Sequence, residues 1–293
     1  VNAGAAYALR LDRGETARYA LMAEWARQQE GDLWELAGLR PGARVADVGC
    51  GPGAVLALLA EIVGPDGRAV GVDADPDAVE RARAHLAVTG AHTAEVRVGR
   101  ADDTGLEPGS FDAVVVRHVL AHNGGAEQRI VDHLAQLVRP GGHVLLVDVD
   151  AAAGLTWPDH PDLDDLHQRY QRWHAARGND VRVGRRLPEL LGAAGTTVAA
   201  FRGWFQTGQP PPGLRGPGWA ARDALVAAGL ATPQDVDRWA AAFAEVDGRD
   251  ERPTAMRAFF AAVGRRPQDD PHADDPHRDD PHRDDPHTEE DPR

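Results

Sequence analysis

Three groups of residues in this sequence are equipped for chemistry, and their spacing narrows what that chemistry is. Residues 45–53 read Val-Ala-Asp-Val-Gly-Cys-Gly-Pro-Gly, with glycines at 49, 51 and 53. Glycine lets a backbone turn sharply and lets a ligand approach with no Cβ in the way. Asp73 follows twenty residues after Gly53, the interval at which a carboxylate meets ribose hydroxyls in nucleotide-binding units. His118 and His122 are four residues apart. On a helix they would share a face, and imidazole titrates where a general base is needed.

Glycine loops of this kind serve two cofactor classes. Dinucleotide enzymes use GxGxxG and set a pyrophosphate on the N-terminus of the following helix. Here the third glycine comes one residue early, and Asp47 stands two positions before the first. A carboxylate repels a pyrophosphate and attracts an ammonium. Both departures favour S-adenosylmethionine, with its methionine ammonium, over NAD.

These residues need a scaffold, and the hydropathy pattern supplies one. Segments at 43–48, 68–73, 94–98, 111–116 and 143–149 read as strands, the first, fourth and fifth mostly apolar, separated by helical stretches at 54–63, 76–88 and 125–138. Strands alternating with helices indicate a parallel sheet covered on both faces, with right-handed crossovers. Residues 3–38 read as helical, with Tyr7, Leu11, Ala17, Leu21 and Trp25 at helical spacing. Beyond residue 150 the rhythm stops. Helices are expected at 159–178, 185–194, 218–229 and 233–246, and strands at 197–206 and 256–264.

The segments VADVGCGPG, Asp73, FDAVVVRHVLAH (111–122) and RPGGHVLLVDVD (139–150) together resemble class I S-adenosylmethionine-dependent methyltransferases. Within them the chain is similar to the methyltransferase type 11 or ubiquinone/menaquinone-biosynthesis group. The resemblance runs from about residue 7 to 266. It implies a Rossmann-like α/β fold: a mostly parallel seven-stranded sheet with helices on both faces and a helical cap. It implies S-adenosylmethionine as cofactor, with Gly49, Cys50, Gly51 and Gly53 lining the methionine and ribose and Asp47 near the amino group. Asp73 would hold the ribose hydroxyls, Ala74 would lie against the adenine, and Arg117 would reach the methionine side. Family members often read Gly-Asp-Ala after the third strand. This chain reads Gly99-Arg100-Ala101-Asp102, so Asp102 or the backbone of Ala101 would take that place.

The expected domain organisation is a methyltransferase domain over 1–266, with a helical N-terminal segment at 1–40 and cap insertions at about 150–184 and 207–254. A charged, Pro-rich tail at 267–293, with His272, His277, His282 and His287 in an Asp-Asp-Pro-His repeat, lacks the apolar residues to fold alone. Trp157, Tyr170, Trp173, Trp204, Phe205 and Trp219 fall in or near the cap and could line an acceptor pocket or simply form core. Tyr7, Arg13 and Arg18 could close over the cofactor.

Composition excludes several classes. The single cysteine removes disulfides and cysteine-rich metal sites, and no paired-acid metal site stands out. The net charge of −14 does not suit nucleic-acid binding. No apolar run nears the roughly 18–20 residues a membrane span needs, and no signal-peptide pattern opens the chain, so a cytoplasmic enzyme is expected. Arg117-His118-Val119-Leu120 stands where an Asn/Asp-Pro-Pro-Tyr motif would mark methylation of bases or glutamine. The expectation is methyl transfer to an O, N or C atom of a small molecule, with His122 or His118 as base. The rivals are a non-catalytic S-adenosylmethionine-binding module, a protein methyltransferase and an NAD-dependent oxidoreductase. Oligomeric state stays open, a homodimer included.

Overall fold

In the computed structural model, which describes residues 13–268, the five expected strands of the first half lie side by side in one sheet. The first helix, α1 (Arg13–Leu36), leads into β1 (Arg44–Val48), whose last four residues are buried. Then follow α2 (Ala54–Val63), β2 (Arg68–Asp73), α3 (Pro76–Thr89), β3 (Ala94–Val98) and β4 (Phe111–Arg117). Pro76 sits in the first turn of α3, where its missing N–H costs nothing, and Asp75 caps the helix by accepting from the Asp77 N–H. A 3₁₀ turn, Leu120–His122, precedes α4 (Glu127–Leu137) and β5 (Val138–Trp157). The remainder is α5 (Pro161–Ala176), α6 (Leu187–Ala193), β6 (Thr197–Gly208), α7 (Pro217–Ala220), α8 (Arg222–Ala227), α9 (Pro233–Asp247) and β7 (Thr254–Arg265).

The seven strands lie in the order β3-β2-β1-β4-β5-β7-β6. The first five are parallel, and β7 runs antiparallel to both β5 and β6. Strand order reverses between β1 and β4. Ligands of open α/β sheets bind at such a point, outside the carboxyl ends of the strands.

Apolar residues cover both faces. Leu33, Trp34, Leu56, Leu59, Val63 and Val79 pack on one side against Val45, Val115 and Val147. Ile130, Leu134, Leu187, Leu190 and Leu191 pack on the other against Val48, Val114 and Leu146. Each fully buried Leu or Ile contributes roughly 1.5–3 kcal/mol. A third cluster joins Leu166, Tyr170 and Trp173 of α5 to Leu225 and Trp239 of α8 and α9, and Arg169 binds Asp235 across α5 and α9. The cap therefore has a core of its own.

Several boundaries differ from those expected. Strand β5 starts at Val138 rather than His143, because Gly141 (φ 77°) absorbs an irregularity in the ladder with β4 instead of ending it. It also runs on to Trp157, since β7 supplies backbone partners as far as Thr254. The helix expected over 218–229 is two short ones, α7 and α8. Tyr7, the helical stretch before residue 13 and the repeat at 269–293 lie outside the described residues, as do the side chains of Arg13 and Arg18. Among the described residues, no helix is long and apolar enough to cross a membrane.

Candidate active site

A cleft of about 2910 Å³ opens over the carboxyl ends of β1, β2, β4 and β5. That exceeds the roughly 300–1,000 Å³ of a single small-ligand pocket and leaves room for two molecules. The glycine loop forms its floor. Gly49, Gly51 and Gly53 all have positive φ (78°, 53° and 82°), the region only glycine occupies freely. A Cβ on Gly49 would stand 2.2 Å from Cγ2 of Val119, and one on Gly51 would lie 3.5 Å from the Tyr19 ring. Tyr19, on α1, thus closes against the loop from the helix that the sequence placed there.

Gly49 and Gly51 line the cleft; Gly53 and Cys50 do not. A Cβ on Gly53 would meet that of Ala82 at 3.0 Å, so its glycine serves the approach of α3. Cys50 turns into the core beneath β2, with Sγ 2.9 Å from where a Cβ on Gly71 would stand. Burial pushes its thiol well above the ordinary range, which leaves it unreactive. Both were expected to line the cofactor; the Cys50 side chain and the Cα of Gly53 stand behind the cleft lining.

Two carboxyl groups face the loop differently. Asp73 accepts the Gly51 N–H at 2.8 Å on Oδ2 and the Asp75 N–H at 2.9 Å on Oδ1. Burial raises its pKa while those backbone bonds pull it back. Both oxygens keep acceptor capacity toward the cleft, since a carboxylate offers about four lone-pair sites. Asp47 is fully buried on the cleft wall, and its Oδ2 has no hydrogen-bond partner among the described residues. Burial first, and Asp73 in addition, push its pKa to about 7 against the pull of Arg117. A buried polar atom left unpaired is costly, so a cationic ligand group at this place has a partner waiting.

Arg117 lines the cleft at the end of β4. Its Nε and Nη2 donate to Glu30 at 3.0 and 2.7 Å, and Glu30 also accepts from the Trp34 indole at 3.3 Å. Sequence reading missed Glu30. Its one signal was an acidic residue amid Ala26, Leu33, Trp34 and Ala37, the buried face of α1. On the far side of the cleft lie Ala74, Gly99 and Ala101. Asp102 is held by Arg100 at 3.0 Å and Arg129 at 2.8 Å, with Arg100 first in lowering its pKa. Its carboxylate is thus committed to two guanidinium groups, and the backbone of Ala101 is the more open contact.

Beyond the loop the cleft is aromatic. All six of Trp157, Tyr170, Trp173, Trp204, Phe205 and Trp219 line it, though Tyr170 and Trp173 also serve the cap core. The two histidines do not share a helical face. His118 has φ 58°, alone among described non-glycine residues in being positive, and only Leu120–His122 is helical. Strain of this kind collects at functional sites. The His118 ring packs edge-on to Phe259 at 5.6 Å, whereas His122 meets His174 of α5 at 5.0 Å. Asp148, raised to about 7 by burial, accepts the Ala121 N–H at 3.1 Å and so fixes the turn that presents His122. Oδ1 of Asn179 accepts from the Gly124 N–H, so its amide nitrogen faces Nδ1 of His174 at 2.8 Å. The His174 proton then sits on Nε2. Burial, with His122 and Arg177 nearby, lowers its pKa to about 3, so it stays neutral near pH 7.

Residues 39–186 match a family model described as a methyltransferase domain. The chain belongs to the class I S-adenosylmethionine-dependent methyltransferases. Nocamycin O-methyltransferase of Saccharothrix syringae is 35% identical over 202 residues, 68% of this chain and 62% of that protein. Arsenite methyltransferase of Halobacterium salinarum is 34% identical over 128 residues, 44% of this chain and 32% of that one. The chain thus spans less than two thirds of the length of either relative. Among solved structures, the YcgJ protein of Bacillus subtilis superposes with a TM-score of 0.53 at 18% identity, covering 81% of this chain and 97% of that one, which shows a shared fold. The methyltransferase cofactor fits the residues present: the unpaired Oδ2 of Asp47 suits its ammonium, and Gly49 and Gly51 line the cleft beside it.

Proposed function

We propose that this protein transfers a methyl group from S-adenosylmethionine to an O, N or C atom of a small molecule, leaving S-adenosylhomocysteine. The observation that carries the reading is the buried, unpartnered Oδ2 of Asp47 on the cleft wall beside the glycine loop. The cofactor supplies a methyl group activated on a sulfonium sulfur. Asp47 would pair with its ammonium, and Asp73 would accept from its ribose hydroxyls. Arg117, held through Nε and Nη2 by Glu30, would keep Nη1 for the methionine side. Ala74 and the backbone of Ala101 would lie against the adenine.

His122 accepts the acceptor's proton, with His174 as a neutral wall behind it, and His118 with Phe259 positions the acceptor. Alignment of two molecules in one cleft supplies much of the rate. The nocamycin relative is named as an O-methyltransferase, which favours an oxygen acceptor. An arsenite acceptor has no thiol to meet here, since the sole cysteine is in the core.

The test is a screen of small-molecule acceptors for S-adenosylhomocysteine release. At least one acceptor is expected to turn over, and His122→Ala is expected to slow it by about 100-fold with cofactor affinity kept. Cofactor binding with no turnover across hydroxyl, amine and carbon acceptors would contradict the reading and leave a binding module.

A further inference from the structure

The arginines of the cleft are mostly spoken for. Arg100 and Arg129 hold Asp102, Arg117 holds Glu30 and Arg215 holds Asp247. Arg177 lies over the Trp173 ring at 4.9 Å, and Arg252 donates to the Pro210 carbonyl. Arg257 lines the cleft from β7, and among the described residues no carboxylate pairs with it.

Its side chain is exposed to the solvent of the cleft, and no carboxylate contributes to the lowering of its pKa by the surrounding protein. A ligand oxyanion would supply the missing counter-charge, and the planar guanidinium fork fits carboxylate and phosphate oxygens two at a time.

Its place in the sheet gives it a role. Side chains two apart on a strand share a face, about 6.6 Å apart, so Arg257 lies one step from Phe259. Phe259 stacks on Trp204 at 5.9 Å and touches the His118 ring. Outward from the glycine loop, the cleft therefore presents His118, then the Phe259–Trp204 pair, then Arg257. Opposite it the ladder between β5 and β7 is interrupted between Asp150 and Leu155, and Ala151, Gly154 and Leu155 of that bulge line the same cleft.

We propose that Arg257 binds an oxyanion on the methyl acceptor, so that the substrates are anionic small molecules whose apolar body lies on Phe259 and Trp204. This rests on the methyl-transfer reading of the same cleft.

The experiment uses the full chain saturated with S-adenosylhomocysteine. It is titrated with two matched pairs, benzoate against benzamide and phenyl phosphate against phenol. An anion is expected to bind about tenfold or more tightly than its neutral partner, and the pair that shows it assigns carboxylate or phosphate. Arg257→Gln is expected to erase the preference with S-adenosylhomocysteine affinity unchanged, and Arg257→Lys to keep part of it. Anions binding no more tightly than neutral partners, or a preference that survives Arg257→Gln, would overturn the inference alone. Failure of S-adenosylhomocysteine to bind would overturn the methyl-transfer reading together with it.

Discussion

Asp47→Asn is expected to weaken S-adenosylmethionine binding by about 100-fold or more, the scale set by losing one partner of a buried ion pair. The same change is expected to stabilise the ligand-free protein above neutral pH. The carboxyl has a folded pKa of about 7 against an ordinary 3.8, chiefly through burial. Between those values the folded chain holds a proton that the unfolded chain has released. Its contribution to stability therefore falls as pH rises from about 4 to about 7, and stays low above that. Asparagine removes the titration, so thermal unfolding at pH 8 should move to higher temperature in the variant.

Binding should carry the matching signature. An ammonium beside Asp47 favours its ionised form, so wild-type affinity rises with pH up to about 7 as the carboxyl loses its proton unaided. It declines again near pH 8, where an α-amino group of the ligand titrates. Titrations in buffers of different ionisation heat should show proton release below pH 7 in the wild type and none in Asp47→Asn. A variant that binds as tightly as wild type would show that Asp47 does not face the ammonium.

The second large effect is on the fold. Glu30→Ala would leave Arg117, only 10% exposed, without its bidentate partner, and would strip the Trp34 indole of its acceptor. Breaking a buried pair from one side costs about 3–5 kcal/mol, or roughly 10 °C in unfolding temperature for a domain of this size. Denaturant unfolding measures it directly. Removing both charges, as in Glu30→Ala with Arg117→Met, should recover much of the loss, since no charge is then stranded. A single-variant loss below about 1 kcal/mol would mean that the pair is solvated like a surface bridge.

Local signals in the sequence were enough for the sheet and the cofactor loop. Strand β2 falls on residues 68–73 as expected, with Ala69–Val72 buried between Arg68 and Asp73, and the close glycines of 49–53 sit in the left-handed backbone region that explains them. Asp73 meets the loop because β1 and β2 are neighbours. What escaped was set by contacts between distant residues. Glu30 and Arg117 are 87 positions apart, and His174 reaches His122 only because the cap folds over the sheet. Helical spacing for His118 and His122 failed because the chain turns left-handed at His118. Spacing also cannot tell which side of a loop is open, and Cys50 and Gly53 turn out to lie behind the cleft lining. Arg257 lay in an Ala-rich stretch where strand character was weak, and nothing local marked it as unpaired.

The most direct test of the central claim is calorimetric titration of the full chain with S-adenosylmethionine, with NAD under the same conditions. The account predicts saturable one-site binding of S-adenosylmethionine and no heat of binding from NAD. Absence of S-adenosylmethionine binding, or tighter binding of NAD, would contradict it.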